Sequence, residues 1–219
     1  MITFEDVKRD PAVGVYITQS DEAVRALGYT EHSFAHVTTV ATVAASILQK
    51  MNFSEREIEL AKIAGYLHDI GNLVNREDHS QSGAVMAFRI LDKMGMPPED
   101  IAVVVSAIGN HDEGAGVPVN AVAAALILAD KSDVRRSRVR NTDATSFDIH
   151  DRVNYSVINS ELVVEKDSGI VRLILRIDTS YGSVMDYFEI FLKRMVLCRK
   201  AAERLDLSFK LDINGQQLI

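Results

Sequence analysis

From Ala121 to Ala129 the chain reads Ala-Val-Ala-Ala-Ala-Leu-Ile-Leu-Ala, nine residues without a polar side chain, and the next residue is Asp130. The surrounding pattern predicts a helix from Asn120 to Asp133 that is apolar nearly all round, and such a helix has to be enclosed by other elements. Nine residues fall short of the ~18 that a membrane span needs, so the enclosure must come from protein. The 219 residues suffice. A chain of that size buries roughly 70% of its unfolded surface and needs no disulfide framework, in keeping with a lone cysteine, Cys198.

The enclosing elements are themselves read as helices. His32 to Lys50 places Ala35, Val37, Val40, Val43, Ala44, Ile47 and Leu48 close to the helical period. Ser54 and Glu57 form a capping box that opens a helix running to about Ile70. A third helix runs from Ser80 or Gln81 to Met94, closed by Gly95 and Pro97-Pro98, and a fourth from Pro98 to about Asn110. The glycine-containing stretch Asp112 to Pro118 is a loop. After Asp133 the pattern changes. Leu162 to Glu165 and Ile170 to Ile177 predict a hairpin, Ser183 to Leu205 a long amphipathic helix, and Ser208 to Ile213 a strand with a tight turn at Asn214-Gly215. The expected fold is mostly α: a helical domain over residues 1–150 and a small α+β extension over 151–219 packed on it.

Charge narrows the partners. Lys and Arg number 24 and Asp and Glu 31, a net charge of −7, which argues against bulk nucleic-acid binding. Met1 to Asp10 holds five charged residues and no apolar leader pattern. A cytoplasmic protein is expected, with no membrane partner and with homodimerisation left open.

Five of the six histidines fall between positions 32 and 111, most of them with a carboxylate at hand. His32 and His36 are four apart, which on a helix puts them on one face. His68-Asp69 ends an apolar helix, where the dipole disfavours an anion and calls for a cation. His79 follows Asp78, and His111 precedes Asp112. Asp130 sits on the apolar helix, where a carboxylate must either pair with a cation such as Lys131 or coordinate a metal. Both readings stand for Asp130 alone. For the whole set, one site built from convergent helices replaces several separate explanations. Imidazole and carboxylate without thiolate suit Fe, Mn, Co, Ni or Zn.

In that order and context, His36-Val37-x-x-Val40-Ala41, Leu67-His68-Asp69-Ile70-Gly71 and Leu128-Ala129-Asp130 resemble the HD superfamily of metal-dependent phosphohydrolases, over roughly residues 30 to 135. His79-x-x-x-Gly83 looks like the added histidine of its dinuclear members, and Asn110 to Pro118 is similar to part of the HD-GYP phosphodiesterase signature. The resemblance implies an HD-type helical bundle. It also implies His36, His68, Asp69, His79, His111 and Asp130 as ligands of two transition-metal ions, with Asp69 bridging them. The implied activity is cleavage of a phosphomonoester, nucleotide or phosphodiester by metal-activated hydroxide. Asn72, Asn110 and Val117 stand where HD-GYP members carry lysine, histidine and tyrosine, which speaks against cyclic dinucleotide hydrolysis.

His32 sits where some relatives place a carboxylate ligand; ligand, proton donor to the leaving oxygen and partner of a ligand are its three open roles. The run Arg135, Arg136, Arg138, Arg140 follows Asp130 closely, and Lys131, Arg135 and Arg138 are the expected phosphate contacts. A second doublet, His150-Asp151, reads as structural or close to the substrate. Two other functions use the same residues: a di-iron oxygenase of HD fold, and a metal-containing nucleotide-binding or signalling module without turnover.

Overall fold

A computed structural model describes residues 1–141 and 147–219. Its helical part comprises α1 (Phe4–Arg9), α2 (Pro11–Ala26), α3 (Phe34–Lys50), α4 (Glu55–Leu67), α5 (His79–Lys93), α6 (Pro98–Gly109), α7 (Ala121–Ser132) and α8 (Ile149–Ser156). Helix α7 is the axis of the bundle. Val122 through Ala129 are each at most 2% exposed, and α3, α4, α6 and a later helix all pack on it. None of the helices among the described residues is long and apolar enough to cross a membrane.

Local chemistry sets the boundaries. Ser54 and Glu57 form the capping box of α4, and Thr3 and Asp6 do the same for α1. Asp10 caps α2 with Pro11 in its first turn. Gly95 ends α5 at φ +79°, a conformation that favours glycine. Several expected boundaries shift, the first strand beginning at Val157 instead of Leu162 among them, and two of the shifts bear on the histidines. Helix α3 begins at Phe34 because the Ser33 side chain accepts from Ala35 N–H as N-cap, so His32 precedes the helix. Helix α4 stops at Leu67, His68 is its C-cap, and Ile70–Leu73 tightens into a 3₁₀ turn.

Two glycines permit the closest approaches. A Cβ on Gly65 would lie 2.7 Å from the Cα of Ala41, so α4 meets α3 nearly backbone to backbone. A Cβ on Gly71 would lie 1.9 Å from the carbonyl oxygen of His79 and 2.4 Å from the Gly83 nitrogen. The 3₁₀ turn is thereby pressed onto the start of α5.

The rest of the chain folds as β1 (Val157–Glu165), β2 (Ile170–Ile177), α9 (Val184–Arg204), β3 (Ser208–Ile213) and β4 (Gln216–Gln217). Strands β1 and β2 pair antiparallel across the turn at Gly169, where φ is +66°. Strand β3 lies parallel to β2, with α9 as the crossover, and the sheet order is β1-β2-β3-β4. Val171, Leu173, Leu175, Phe209, Leu211 and Ile213 are buried, as are Tyr187, Phe191, Met195 and Cys198 of α9. These residues and the bundle share one continuous apolar core. Helix α9 packs along α7, which carries a C-terminal helix to the histidine cluster.

Candidate metal centre

The apolar bundle brings five element ends to one place. His36 lies in the first turn of α3, His68 caps α4 with Asp69 next to it, His79 opens α5, His111 follows α6, and Asp130 lies in the last turn of α7. Their rings form a row. Ring centroids are 5.2 Å apart for His36 and His68, 5.0 Å for His68 and His111, and 5.0 Å for His79 and His111. His32 joins the row 5.6 Å from His36, although it sits on the loop before the helix rather than on a shared helical face. His36, His68 and His111 are at most 1% exposed.

Each of these rings is fixed through its Nδ1. The partners are the Asp133 carboxylate for His36 (2.7 Å), Gly65 O for His68 (2.8 Å), Arg76 O for His79 (3.1 Å), Ile108 O for His111 (2.7 Å) and Thr30 O for His32 (2.7 Å). An acceptor at Nδ1 holds the proton there and leaves the Nε2 lone pair free to bind a cation.

Those Nε2 atoms face carboxylate oxygens. His36 Nε2 is 3.4 Å from Asp69 Oδ2 and 3.4 Å from Asp130 Oδ1, and His68 Nε2 is 3.2 Å and 3.7 Å from the same two atoms. His79 Nε2 is 3.7 Å from the other oxygen of Asp69, Oδ1, and 3.2 Å from His111 Nε2. The two oxygens of Asp69 are thus turned toward different imidazoles. The Asn72 amide donates to Oδ1 at 3.1 Å.

The arrangement fits a metal. His36 Nε2, His68 Nε2 and Asp69 Oδ2 are buried without a hydrogen-bond partner, a costly state unless something else joins them. Donor atoms about 2.1 Å from one tetrahedral ion are about 3.4 Å from each other, which matches these separations. Two triads are compact enough to hold an ion: His36, His68 and Asp130, and His68, Asp69 and His111. Charge agrees. Burial opposes a proton on His68, yet Asp69 and Asp130 outweigh it and push the ring up to about 10. Burial likewise disfavours the charge on Asp69, but His68, His32 and His36 hold it well below the ordinary carboxylate range. The cluster demands positive charge, and a metal ion would supply what a proton otherwise must.

Asp130 pairs with a cation and also turns an oxygen to the cluster. Its Oδ1 faces the imidazoles, and its Oδ2 lies 2.8 Å from Lys131 Nζ. Lys131 in turn reaches Glu113 Oε2, and Glu113 Oε1 accepts from Arg194 Nε at 2.9 Å.

The cluster forms the floor of a cavity of about 530 Å³. Its lining includes His32, Asp69, His79, His111 and Asp130 together with Arg76, Lys131, Arg138 and Arg194. Arg135 is not part of it. Helix α7 ends at Ser132, so Arg135 does not share a helical face with Lys131, and its guanidinium binds Asp133 and Glu31. Arg138 lines the cavity but is buried, donating to Glu31 O and Asp133 O. Arg136 and Arg140 pair with Asp178 and Asp21. The basic run is therefore spent largely on the protein's own acceptors. Sequence reasoning passed over Asp133, Glu113, Arg76 and Arg194. Each acquires its place through a partner set by tertiary structure, although Arg76 and Asp133 do stand close to the ligand motifs. His150 and Asp151, in the first turn of α8, also line the cavity.

The chain is similar over 227 aligned residues to the uncharacterized protein MJ1020 of Methanocaldococcus jannaschii, with 23% identity and 86% of each chain covered. A family model described as the HD domain matches residues 33–152. That span is more than half of the chain and runs from the cap of α3 into α8, taking in His36, His68, Asp69, His79, His111 and Asp130. The protein is a member of the HD-domain family.

Proposed function

We propose that this chain is a metal-dependent phosphohydrolase with a dinuclear centre, acting on a small phosphorylated compound such as a phosphomonoester or nucleotide. The observation that carries the reading is Asp69. Its two oxygens face separate imidazole sets at the bottom of a cavity walled by Arg76, Lys131 and Arg138. In this reading His36, His68, Asp69, His79, His111 and Asp130 would together hold the ions. Bound ions of this kind would supply a water nucleophile at neutral pH and draw charge from phosphate oxygens.

The chain's own groups do the rest. Asp133, Gly65, Arg76 and Ile108 keep the Nε2 lone pairs aimed inward. The Lys131 ammonium offsets Asp130 and Glu113, so the site is not left with uncompensated negative charge when a phosphate approaches. His32 gives its Nδ1–H to Thr30 O. That leaves Nε2 as an acceptor or ligand atom and favours these roles over proton donation to the leaving oxygen.

The test is elemental analysis of the purified protein together with release of phosphate or nucleoside from a broad phosphoester panel. Asp69→Ala is expected to abolish both metal retention and turnover. Hydrolysis that survives this change would refute the site. Oxygen consumption by an iron-loaded protein that releases no phosphate would replace the hydrolase with an oxygenase.

A further inference from the structure

Arg194 lies on α9, more than forty residues beyond the span that matches the family model, yet its side chain lines the same cavity as Asp69 and Asp130. Its guanidinium is held in two ways. Nε donates to Glu113 Oε1 at 2.9 Å, and the guanidinium carbon sits 4.4 Å from the centroid of the Phe191 ring, one turn earlier on α9. Phe191 is itself buried, so the ring is a fixed platform. Among the described residues, the Nε bond is the only hydrogen bond that the Arg194 side chain makes. Among the described residues neither terminal nitrogen has a protein acceptor, and both stay accessible to solvent at the cavity rather than sealed in the interior.

Burial and stacking fix the plane, Glu113 fixes the rotation about the Nε–H, and the remaining edge presents two N–H groups as a fork. That fork matches the oxygens of a phosphate, which lysine cannot match in the same way. Lys131 stands beside it through their shared partner Glu113, so an anion at the fork meets two cations.

We propose that the Nη1/Nη2 edge of Arg194 binds two oxygens of the substrate's phosphate group, making α9 the element that completes the substrate site. The proposal rests on the phosphohydrolase reading above and adds a binding residue to it. Glu113 is the positioning residue: it touches no substrate and orients the fork.

The experiment uses the full-length, metal-loaded protein with inorganic phosphate as probe, measured by titration calorimetry, with metal content determined for each variant. Arg194→Gln is expected to weaken phosphate binding at least tenfold with metal content unchanged. Arg194→Lys should fall between it and the wild type. Should Arg194→Gln fail to fold with one Glu113 oxygen left without its partner, the double variant Glu113→Gln/Arg194→Gln, compared with Glu113→Gln alone, is expected to show the same tenfold loss. Phosphate binding within twofold of the matched control overturns the proposal. A wild type that hydrolyses phosphoesters while Arg194→Gln binds phosphate normally would sink this inference alone. A loaded wild type that neither binds phosphate nor releases it from any phosphoester would sink both readings.

Discussion

Asp133 Oδ2 accepts a hydrogen bond from His36 Nδ1 at 2.7 Å, across 97 residues of sequence. Asp133 is the C-cap of α7 and lies three residues after Asp130, so one helix end supplies both a carboxylate facing the cluster and the group that orients a ring opposite it. Removing such a partner commonly lowers metal affinity 10- to 100-fold. Asp133→Ala is therefore expected to weaken metal binding by roughly that factor, read by competition with a chromophoric chelator. Unchanged affinity would show that the His36 ring is held by packing alone.

Acid and base should act differently on the metal-stripped and metal-loaded forms. In the stripped protein the His68 ring is pushed up to about 10 against an ordinary value near 6.5. A raised value means that its charged pairing stabilises the fold fully below about pH 6.5 and is lost as pH climbs through about 10. The Tm of the stripped protein should therefore fall between pH 7 and 10, while the loaded protein stays flat over that window. The loaded form should instead shed metal on acidification, as protons reclaim the ligands. Thermal melts with and without chelator across this range check both limbs.

Gly71→Ala should be severely destabilising, because the added methyl would fall on backbone atoms of His79 and Gly83 that have no room to retreat. Overpacking of this kind costs about 1–3 kcal/mol or more. The control is Gly14→Ala in α2, where nothing lies within 4 Å of the new Cβ. There the gain in helix propensity is about 0.5–1 kcal/mol. Urea titration of both variants should give changes of opposite sign.

Lys131→Met removes the cation between Asp130 and Glu113 on a side chain that is only 5% exposed. Breaking a buried pair typically costs about 3–5 kcal/mol, and a loss of that order is expected in denaturant unfolding of the stripped protein. Arg9→Gln, which breaks the solvent-exposed pair with Glu5, should stay within ~0.5 kcal/mol. Equal effects of the two substitutions would mean that the Lys131 contacts add nothing to stability.

What the sequence disclosed followed from local rules. The Ser54–Glu57 box, Pro98, Gly95 and the Gly169 turn each act within a few residues, and the elements they predict are present. The histidines stand out because most have a carboxylate at hand, and because His68-Asp69 sets an anion at the end of an apolar helix, where the dipole calls for a cation. The resemblance added their grouping, and the structure brings the side chains together. Other features depend on distant partners. Ser33 was not recognised as the cap that leaves His32 outside α3. Arg135 looked available for a ligand because Glu31 is 104 residues away in sequence. Nothing in the sequence marks Arg194, because its partner Glu113 is 81 residues away. The parallel pairing of β3 with β2 depends on the path of α9, which no strand pattern encodes.

The bare contact at Gly65 has a bearing on how this protein can change over generations. Because α3 and α4 touch through their main chains near Ala41, the gap between His36 and His68 is set by two backbones and not by the bulk of intervening side chains. The spacing of these two rings thus rests on a seam of small residues, and a side chain larger than glycine at position 65 would force the two helices apart.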